Sequence, residues 1–348
     1  MAPFAGYDMP ISYATGAIEE HAITRRSVGL FDIDHMGQFE ISGPGADKFV
    51  SRLVSAKVLD MVPPMARYSL LLDEKGCVID DLFVYRMPDA WWIVVNASNR
   101  GTDLAWFTSR ADMSVKIVDK SDKTYMIAVQ GPKAIELLDA VAAPAVSTLE
   151  RFTWSYIDIE GIPVLFGRTG YTGEDGGELF FPAAKAEFLW DFFLEKGRSL
   201  GIETMPIGLA ARDSLRFEAG MPLHGHEISA SINALEAGFK WACDFDKEFV
   251  GKASLVAIAA KGLERKLVGL DVTGGVPREG YEVADRTGKI VGRCVAGMFC
   301  PTVRKYAANA FVEPEYAKVG TSLSVIIRGQ AKDAVVIKRP LYTPAYRR

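Results

Sequence analysis

The sequence predicts an α+β protein that ends in a β-rich domain, and three observations carry that prediction. A strand, a Gly-Pro turn and a helix-patterned stretch occur twice, at Gly43-Pro44 and again 88 residues later at Gly131-Pro132. Between the copies lie three alternating strand candidates, Tyr68–Leu72, Val78–Tyr85 and Ala90–Val95, with Met87-Pro88-Asp89 as a turn between the last two. Beyond about residue 264, strand-like pieces spaced by Gly and polar turns read as a small barrel or sandwich.

In chain order, Gly16 to Ser27 carries apolar residues at helical spacing ahead of a glycine stop, which predicts a helix. Strand candidates Leu30–Ile33 and Gln38–Ile41 follow. The first copy, Ile41 to Val54, reads as strand, turn and helix, with Pro44 near the first helical position, where its missing N–H costs nothing. The second copy is Ala128 to Leu138, and two copies are too few for a solenoid. Ala186–Ser199 and Gly208–Ala219 are amphipathic helix candidates, and Lys252–Lys261 is helix-like. The barrel strands expected beyond it are Lys266–Val272, Lys289–Val295, Leu323–Ile327 and Ala334–Ile337.

Composition narrows the function. A chain of 348 residues, 49% apolar and 24% charged, buries a core without staples and has room for two or three domains. Forty basic against forty-four acidic residues, with no run of like charge, argues against a nucleic-acid or anionic-membrane surface. No apolar run approaches the roughly 18–20 residues that span a bilayer. Cys77, Cys243, Cys294 and Cys300 show no Cys-x-x-Cys spacing and no signal-like stretch opens the chain, so free thiols in the cytoplasm are expected. A monomer is the default.

Four segments are candidates for chemistry. In Val78-Ile-Asp-Asp-Leu-Phe-Val-Tyr two carboxylates interrupt an apolar strand. Alternation sends Asp80 and Asp81 to opposite faces, so they have different jobs, and a hairpin turn near Pro88 sets Asn96 opposite the pair. The plainer reading is one structural and one solvent-facing Asp. Next, Gly167 to Gly177 holds five glycines in eleven positions, yet Glu174, Asp175 and Glu178 would repel a phosphate. A Glu beside Tyr171 suits a planar, donor-rich heterocycle such as an aminopyrimidinone, which one carboxylate accepts bidentately. The plainer alternative is a hairpin loop with solvated acids. Third, Arg212 and Arg216 lie four apart on one helix face, either as a carboxylate clamp or in internal salt bridges with Asp213 or Glu218. Last, His224-Gly-His226 falls short of a zinc signature, and neither a nucleophile elbow nor a complete dinucleotide fingerprint is present.

Six collinear motifs run through almost the whole chain: Phe4-Ala-Gly-Tyr-Asp-Met-Pro, Gly29-Leu-Phe-Asp-Ile-Asp-His-Met-Gly, Val78-Ile-Asp-Asp-Leu, Arg168-Thr-Gly-Tyr-Thr-Gly-Glu-Asp-Gly-Gly-Glu, Gly208-Leu-Ala-Ala-Arg-Asp-Ser-Leu-Arg and Phe249-Val-Gly-Lys. Together they resemble the aminomethyltransferase (T-protein) family of the glycine cleavage system. The resemblance implies a three-domain cloverleaf around a central hole that binds tetrahydrofolate. Two interleaved α+β domains, approximately 1–36 with 121–225 and 37–120 with 226–263, would precede a β-barrel over 264–348.

The resemblance also implies site roles. Asp81 would sit by the reacting nitrogens of the folate and, ionised, stabilise developing positive charge and relay a proton. Glu178 would hold the pterin, Tyr171 and Tyr68 would line its pocket, Asn96 would lie close by, and Arg212 would contact the ligand or orient Glu178. The implied reaction takes an aminomethyl group from the lipoyl arm of H-protein to tetrahydrofolate with release of ammonia. Several positions depart from the family pattern: a short opening segment is missing, His224-Gly-His226-Glu227 replaces a common Tyr-Gly-Gln, Ala234 replaces a proline, and Cys300 replaces a serine. These changes leave open a tetrahydrofolate-dependent demethylase acting on a small methylated amine, sulfonium or ether, with His224 and His226 in its donor pocket. A non-catalytic folate-binding protein is a third reading.

Overall fold

The protein is described over residues 1–347 by a computed structural model. A short hairpin, β1 (Ala2–Phe4) and β2 (Tyr7–Met9), leads into α1 (Ala17–Arg26) and β3 (Val28–Asp32). The first copy of the repeated unit is β4 (Gly37–Ser42) and α2 (Ala46–Leu53), followed by β5 (Ala66–Leu72), β6 (Val78–Arg86), β7 (Ala90–Val95), α3 (Arg100–Thr108) and β8 (Lys116–Asp119). The second copy is β9 (Thr124–Gln130) and α4 (Ala134–Asp139). After it come β10 (Trp154–Ile159), β11 (Ile162–Gly167), β12 (Gly176–Pro182), α5 (Ala186–Leu200), β13 (Thr204–Pro206) and α6 (Leu209–Glu218). Then α7 (Lys252–Lys261) precedes six strands, β14 (Lys266–Val272), β15 (Glu282–Ala284), β16 (Ile290–Cys300), β17 (Lys305–Val312), β18 (Ser322–Ile327) and β19 (Gln330–Ile337).

Both copies need their glycine for the same reason. Gly43 and Gly131 have φ of 105° and 144°, and a Cβ on either would fall 2.4 Å from the Ser114 carbonyl oxygen or 2.0 Å from that of Ser27. Pro44 lies outside α2, two residues before it. The Ala46 N–H bonds the Gly43 carbonyl at 3.1 Å, so Pro44 takes the second position of a turn, where its fixed φ is favoured.

The strands assemble into two principal sheets and a barrel. One sheet has the order β10-β11-β12-β9-β3-β13, parallel at β3 with β13 and antiparallel elsewhere. The other, β5-β6-β7-β4-β8, is antiparallel throughout and drawn from sequence enclosed by the first. The C-terminal strands close in the order β14-β17-β16-β15-β18-β19, a barrel rather than a sandwich. The protein is thus two interleaved α+β units followed by a closed β-barrel.

Alternation buries one set of strand side chains, including Val129, Phe166 and Leu179, against α4 and α5, where Leu137 and Phe193 meet them. A second set, including Phe39, Val84 and Ile93, is buried against Val50 of α2 and Phe107 of α3. The facing sides of the two sheets meet through Phe31, Tyr85, Val94, Met126 and Phe180, with Leu215 of α6 beside them. Each fully buried side chain of this size contributes roughly 1.5–3 kcal/mol, so the two sheets are held firmly together. Strands β1, β2, β8, β10, β11, β12, β13, β15 and β17 and helix α3 are additions to the sequence reading, and β16 runs five residues beyond the expected end at Val295, to Cys300.

Candidate functional site

β6 separates its two carboxylates as the strand period requires. Asp80 is fully buried and turned toward α3, whereas Asp81 faces a cavity of about 1030 Å³. Pairing of Leu82 with Val95 carries Asn96 level with Asp81 across the hairpin. The Asn96 Nδ2 donates to Asp81 Oδ1 at 2.7 Å and Asp80 Oδ1 at 2.8 Å, and its backbone N–H donates to Asp80 Oδ2 at 2.9 Å. Asn99 Nδ2 adds a 2.6 Å bond to Asp80 Oδ1. Asp80 is therefore the structural member of the pair.

Burial, and then the neighbouring Asp80 charge, push Asp81 up to about 7, while Asn96 and Tyr68 pull it down. Near neutral pH this carboxyl exchanges a proton readily. The Tyr68 ring stacks on Trp241 at 5.4 Å and meets Phe83 edge-on at 5.8 Å, forming an aromatic wall beside Asp81.

Glu178 enters the same cavity from β12, in the other sheet. Thr169 Oγ1 donates to its Oε2 at 2.5 Å, and the Tyr85 hydroxyl lies 3.4 Å from that oxygen and 2.9 Å from Thr169 Oγ1. Burial raises Glu178 above the ordinary carboxylate range, against the bond from Thr169 and the positive charge of Arg212. The glycine-rich loop does not solvate its other acids. Glu174 pairs with Arg25 at 2.9 Å and Asp175 with Arg168 at 2.8 Å, leaving Glu178 as the carboxylate that faces the cavity.

Tyr171 uses its hydroxyl on the Pro222 carbonyl, so its ring forms cavity wall, with the Arg212 guanidinium 5.4 Å from the ring centre. Arg212 Nη1 donates to His35 Nε2 at 2.8 Å. Burial and then Arg212 hold His35 down at about 2, so the imidazole is neutral, accepts at Nε2 and carries its proton on Nδ1. Four residues away, Arg216 has a different role. It is buried against both Glu227 oxygens at 2.9 Å and bonds Asp213 at 2.8 Å. Asn309 of the barrel donates to Glu227 at 2.6 Å. Both arginines of the motif border the cavity, but Arg212 is held there by the neutral His35, whereas Arg216 is committed to Glu227 and Asp213 and ties α6 to its surroundings.

All six residues singled out from the sequence, Asp81, Glu178, Tyr171, Arg212, Tyr68 and Asn96, line this one cavity. His224 and His226 line it too, on the loop after α6. His226 Nδ1 donates to the Val295 carbonyl at 2.9 Å, while His224 Nε2 is buried without a hydrogen-bond partner. The barrel lends no lining residue and supports this loop from behind. Sequence reasoning missed His35, Thr169, Tyr85 and Trp241. His35 and Thr169 lie inside quoted motifs, but nothing local marks their partners. A shallower groove of about 420 Å³, lined by Trp92, Tyr156 and Phe180 among others, holds none of the six.

This cavity is formed by two sheets and α6, and its chemistry can be compared with known proteins. Residues 1–247 match the family described as the GCVT N-terminal domain, and 265–343 match the glycine cleavage T-protein C-terminal barrel domain. An aminomethyltransferase of Symbiobacterium thermophilum is 41% identical, covering 100% of this chain and 95% of its own length. One of Desulforamulus reducens is 41% identical, covering 98% and 94%. The crystal structure of the glycine cleavage system aminomethyltransferase T from Bartonella henselae superposes with a TM-score of 0.92 at 30% identity, covering 99% of this chain and 94% of that one. Among the described residues no helix is long and apolar enough to cross a membrane. With both regions matched in order and relatives aligned over nearly their full length, the chain belongs to the T-protein family of aminomethyltransferases.

Proposed function

We propose that the protein transfers the one-carbon unit of an aminomethyl group, carried on the lipoyl arm of an H-protein, to tetrahydrofolate with loss of ammonia. The observation that supports this most directly is that Asp81 and Glu178, from different sheets, face one cavity between aromatic walls. Tetrahydrofolate is the acceptor and supplies the nucleophilic nitrogens. The residues suit it: the Glu178 carboxylate is backed on one oxygen by Thr169 and Tyr85, which leaves capacity to accept from the amino group and ring N–H of a pterin. Tyr171 and Tyr68 provide ring surface, and Arg212, fixed by His35, offsets the charge of Glu178.

Asp81 is the acid–base group. It accepts a proton at its carboxylate from the nucleophilic nitrogen, stabilises the positive charge that develops beside it, and returns the proton to the amine as the C–N bond breaks. The C–S bond breaks as the second folate nitrogen closes on the carbon, and that nitrogen's proton leaves on the lipoyl thiol. Asn96 holds one Asp81 oxygen and leaves the other toward the cavity. No covalent bond to the enzyme is needed. The folding units that carry the site are taken as 1–36 with 121–225 and 37–120 with 226–263, with the barrel over 264–348 as support. Four unbridged thiols suit a reducing cytoplasm.

A second reading, transfer from a small methylated amine, sulfonium or ether, is favoured by His224 and His226 in the cavity lining. Turnover with aminomethylated H-protein, measured against a panel of such compounds, separates the two. Activity on the lipoyl donor is expected; activity confined to the small molecules would reject it. Calorimetry with tetrahydrofolate on the wild-type protein and Glu178→Ala tests the pterin assignment, which equal affinities would remove.

A further inference from the structure

Behind Asp81 lies a second, entirely buried carboxyl that the reaction does not touch. Asp103, in the first turn of α3, is fully buried, and neither of its oxygens receives a hydrogen bond from an N–H or hydroxyl donor. Its polar contact is the carboxylate of Asp80. Two anions in that position would repel in a dry interior, whereas one proton between them makes a donor and an acceptor. Asp80 is suited to be the acceptor, because Asn96 N–H, Asn96 Nδ2 and Asn99 Nδ2 all donate to it at 2.6–2.9 Å. Asn99 gives up helix capping to do so, since α3 has no side-chain cap at its N-terminus. The proton therefore belongs on Asp103.

We infer that Asp103 is a positioning residue for the proposed transfer: held as a neutral acid, it donates to Asp80, and Asp80 in turn orients the Asn96 amide that grips Asp81. The inference rests on the reading of Asp81 as the acid–base group. The charged groups acting on Asp103 are Asp80 and Asp81, both from β6, while Tyr68 of β5 acts on Asp81 from the cavity side. Burial and these two acids raise Asp103 to about 10, in keeping with a proton retained through the neutral range. Asp80 is also one of the causes that raise Asp81.

Two variants and two readouts test this. Asp103→Asn keeps an isosteric donor, Nδ2, toward Asp80, so turnover is expected within about threefold of wild type, with the acid limb of kcat/KM unmoved. Asp103→Leu removes the donor. Asp80 then competes for the last proton of the cluster, so the acid limb moves by about half a pH unit or more to higher pH and kcat falls about tenfold or more. Identical profiles for the two variants would reduce Asp103 to packing and overturn the inference. The second readout needs no turnover: the infrared spectrum of the wild type at pH 8 shows a neutral carboxylic C=O stretch that Asp103→Asn lacks. Absence of that band overturns the inference whether or not Asp103→Leu folds. If the band and its loss in Asp103→Asn are seen while Asp81 variants retain full activity, the assignment of Asp81 fails, and with it the positioning role, but not the shared proton.

Discussion

Asn96 and Asp81 are joined by a 2.7 Å hydrogen bond across the β6–β7 hairpin, and the same Asn96 amide also holds Asp80 on the opposite face of the strand. One side chain thus couples a buried structural carboxylate to the carboxyl that faces the cavity. Asp81→Asn removes the ionisable group while keeping size and polarity. It is expected to leave the fold intact and tetrahydrofolate affinity within about tenfold while lowering kcat about 100-fold or more. Steady-state kinetics and calorimetry on one preparation check this; an unchanged rate would place the acid–base group elsewhere.

Thr169→Val tests the support of Glu178. The valine preserves shape but removes the 2.5 Å bond that fixes one carboxylate oxygen and partly offsets its burial. A hydrogen bond to a charged group is worth about 1.5–3 kcal/mol, so folate binding is expected to weaken about tenfold or more, with kcat little changed. A fall in kcat at unchanged affinity would assign Thr169 to the chemical step instead.

The separate placements of Asp80 and Asp81, one buried and one facing the cavity, were legible in the sequence because strand alternation and one turn position decide them locally. The environment of Arg212 was not: its hydrogen-bond partner His35 is 177 residues away, and no periodicity encodes that meeting. The same limit hid Trp241 against Tyr68. β17 escaped for another reason. Lys-Tyr-Ala-Ala-Asn-Ala-Phe-Val has little β-branched character, yet its alanines suit a strand paired on both sides, to β14 and β16. In that strand packing decided the conformation over intrinsic propensity.

Asp81 and Asp103, two of the raised acids, set a pH dependence. Activity is expected to rise with pH through about 7 as Asp81 ionises, since the ionised form accepts the proton. Stability runs the other way. A folded-state pKa above the unfolded 3.8 means the native protein holds its proton more tightly, an effect complete below 3.8 and lost as pH rises through about 7 for Asp81 and about 10 for Asp103. The melting temperature should therefore fall toward alkaline pH, and fall less in Asp103→Asn, which has no proton to lose there. Parallel melting curves for the two proteins between about pH 7 and 10 would contradict the assignment.

Arg216 and Glu227 should behave in the opposite way to Asp81 and Glu178, affecting stability before chemistry. Both side chains are essentially unexposed, at 1% and 0%, and their pair joins α6 to the loop that carries His224 and His226. Asn309 extends the connection into the barrel. Arg216→Met leaves Glu227 buried with Asn309 and the Leu223 N–H as its donors, an incomplete match for a full charge. Removing one partner of such a pair costs about 3–5 kcal/mol, which urea unfolding would read directly. Adding Glu227→Leu to Arg216→Met should recover much of that loss, because the penalty comes from the stranded charge rather than from the missing attraction. A double variant no more stable than the single one would show instead that the loop needs the ion pair itself to dock on the barrel.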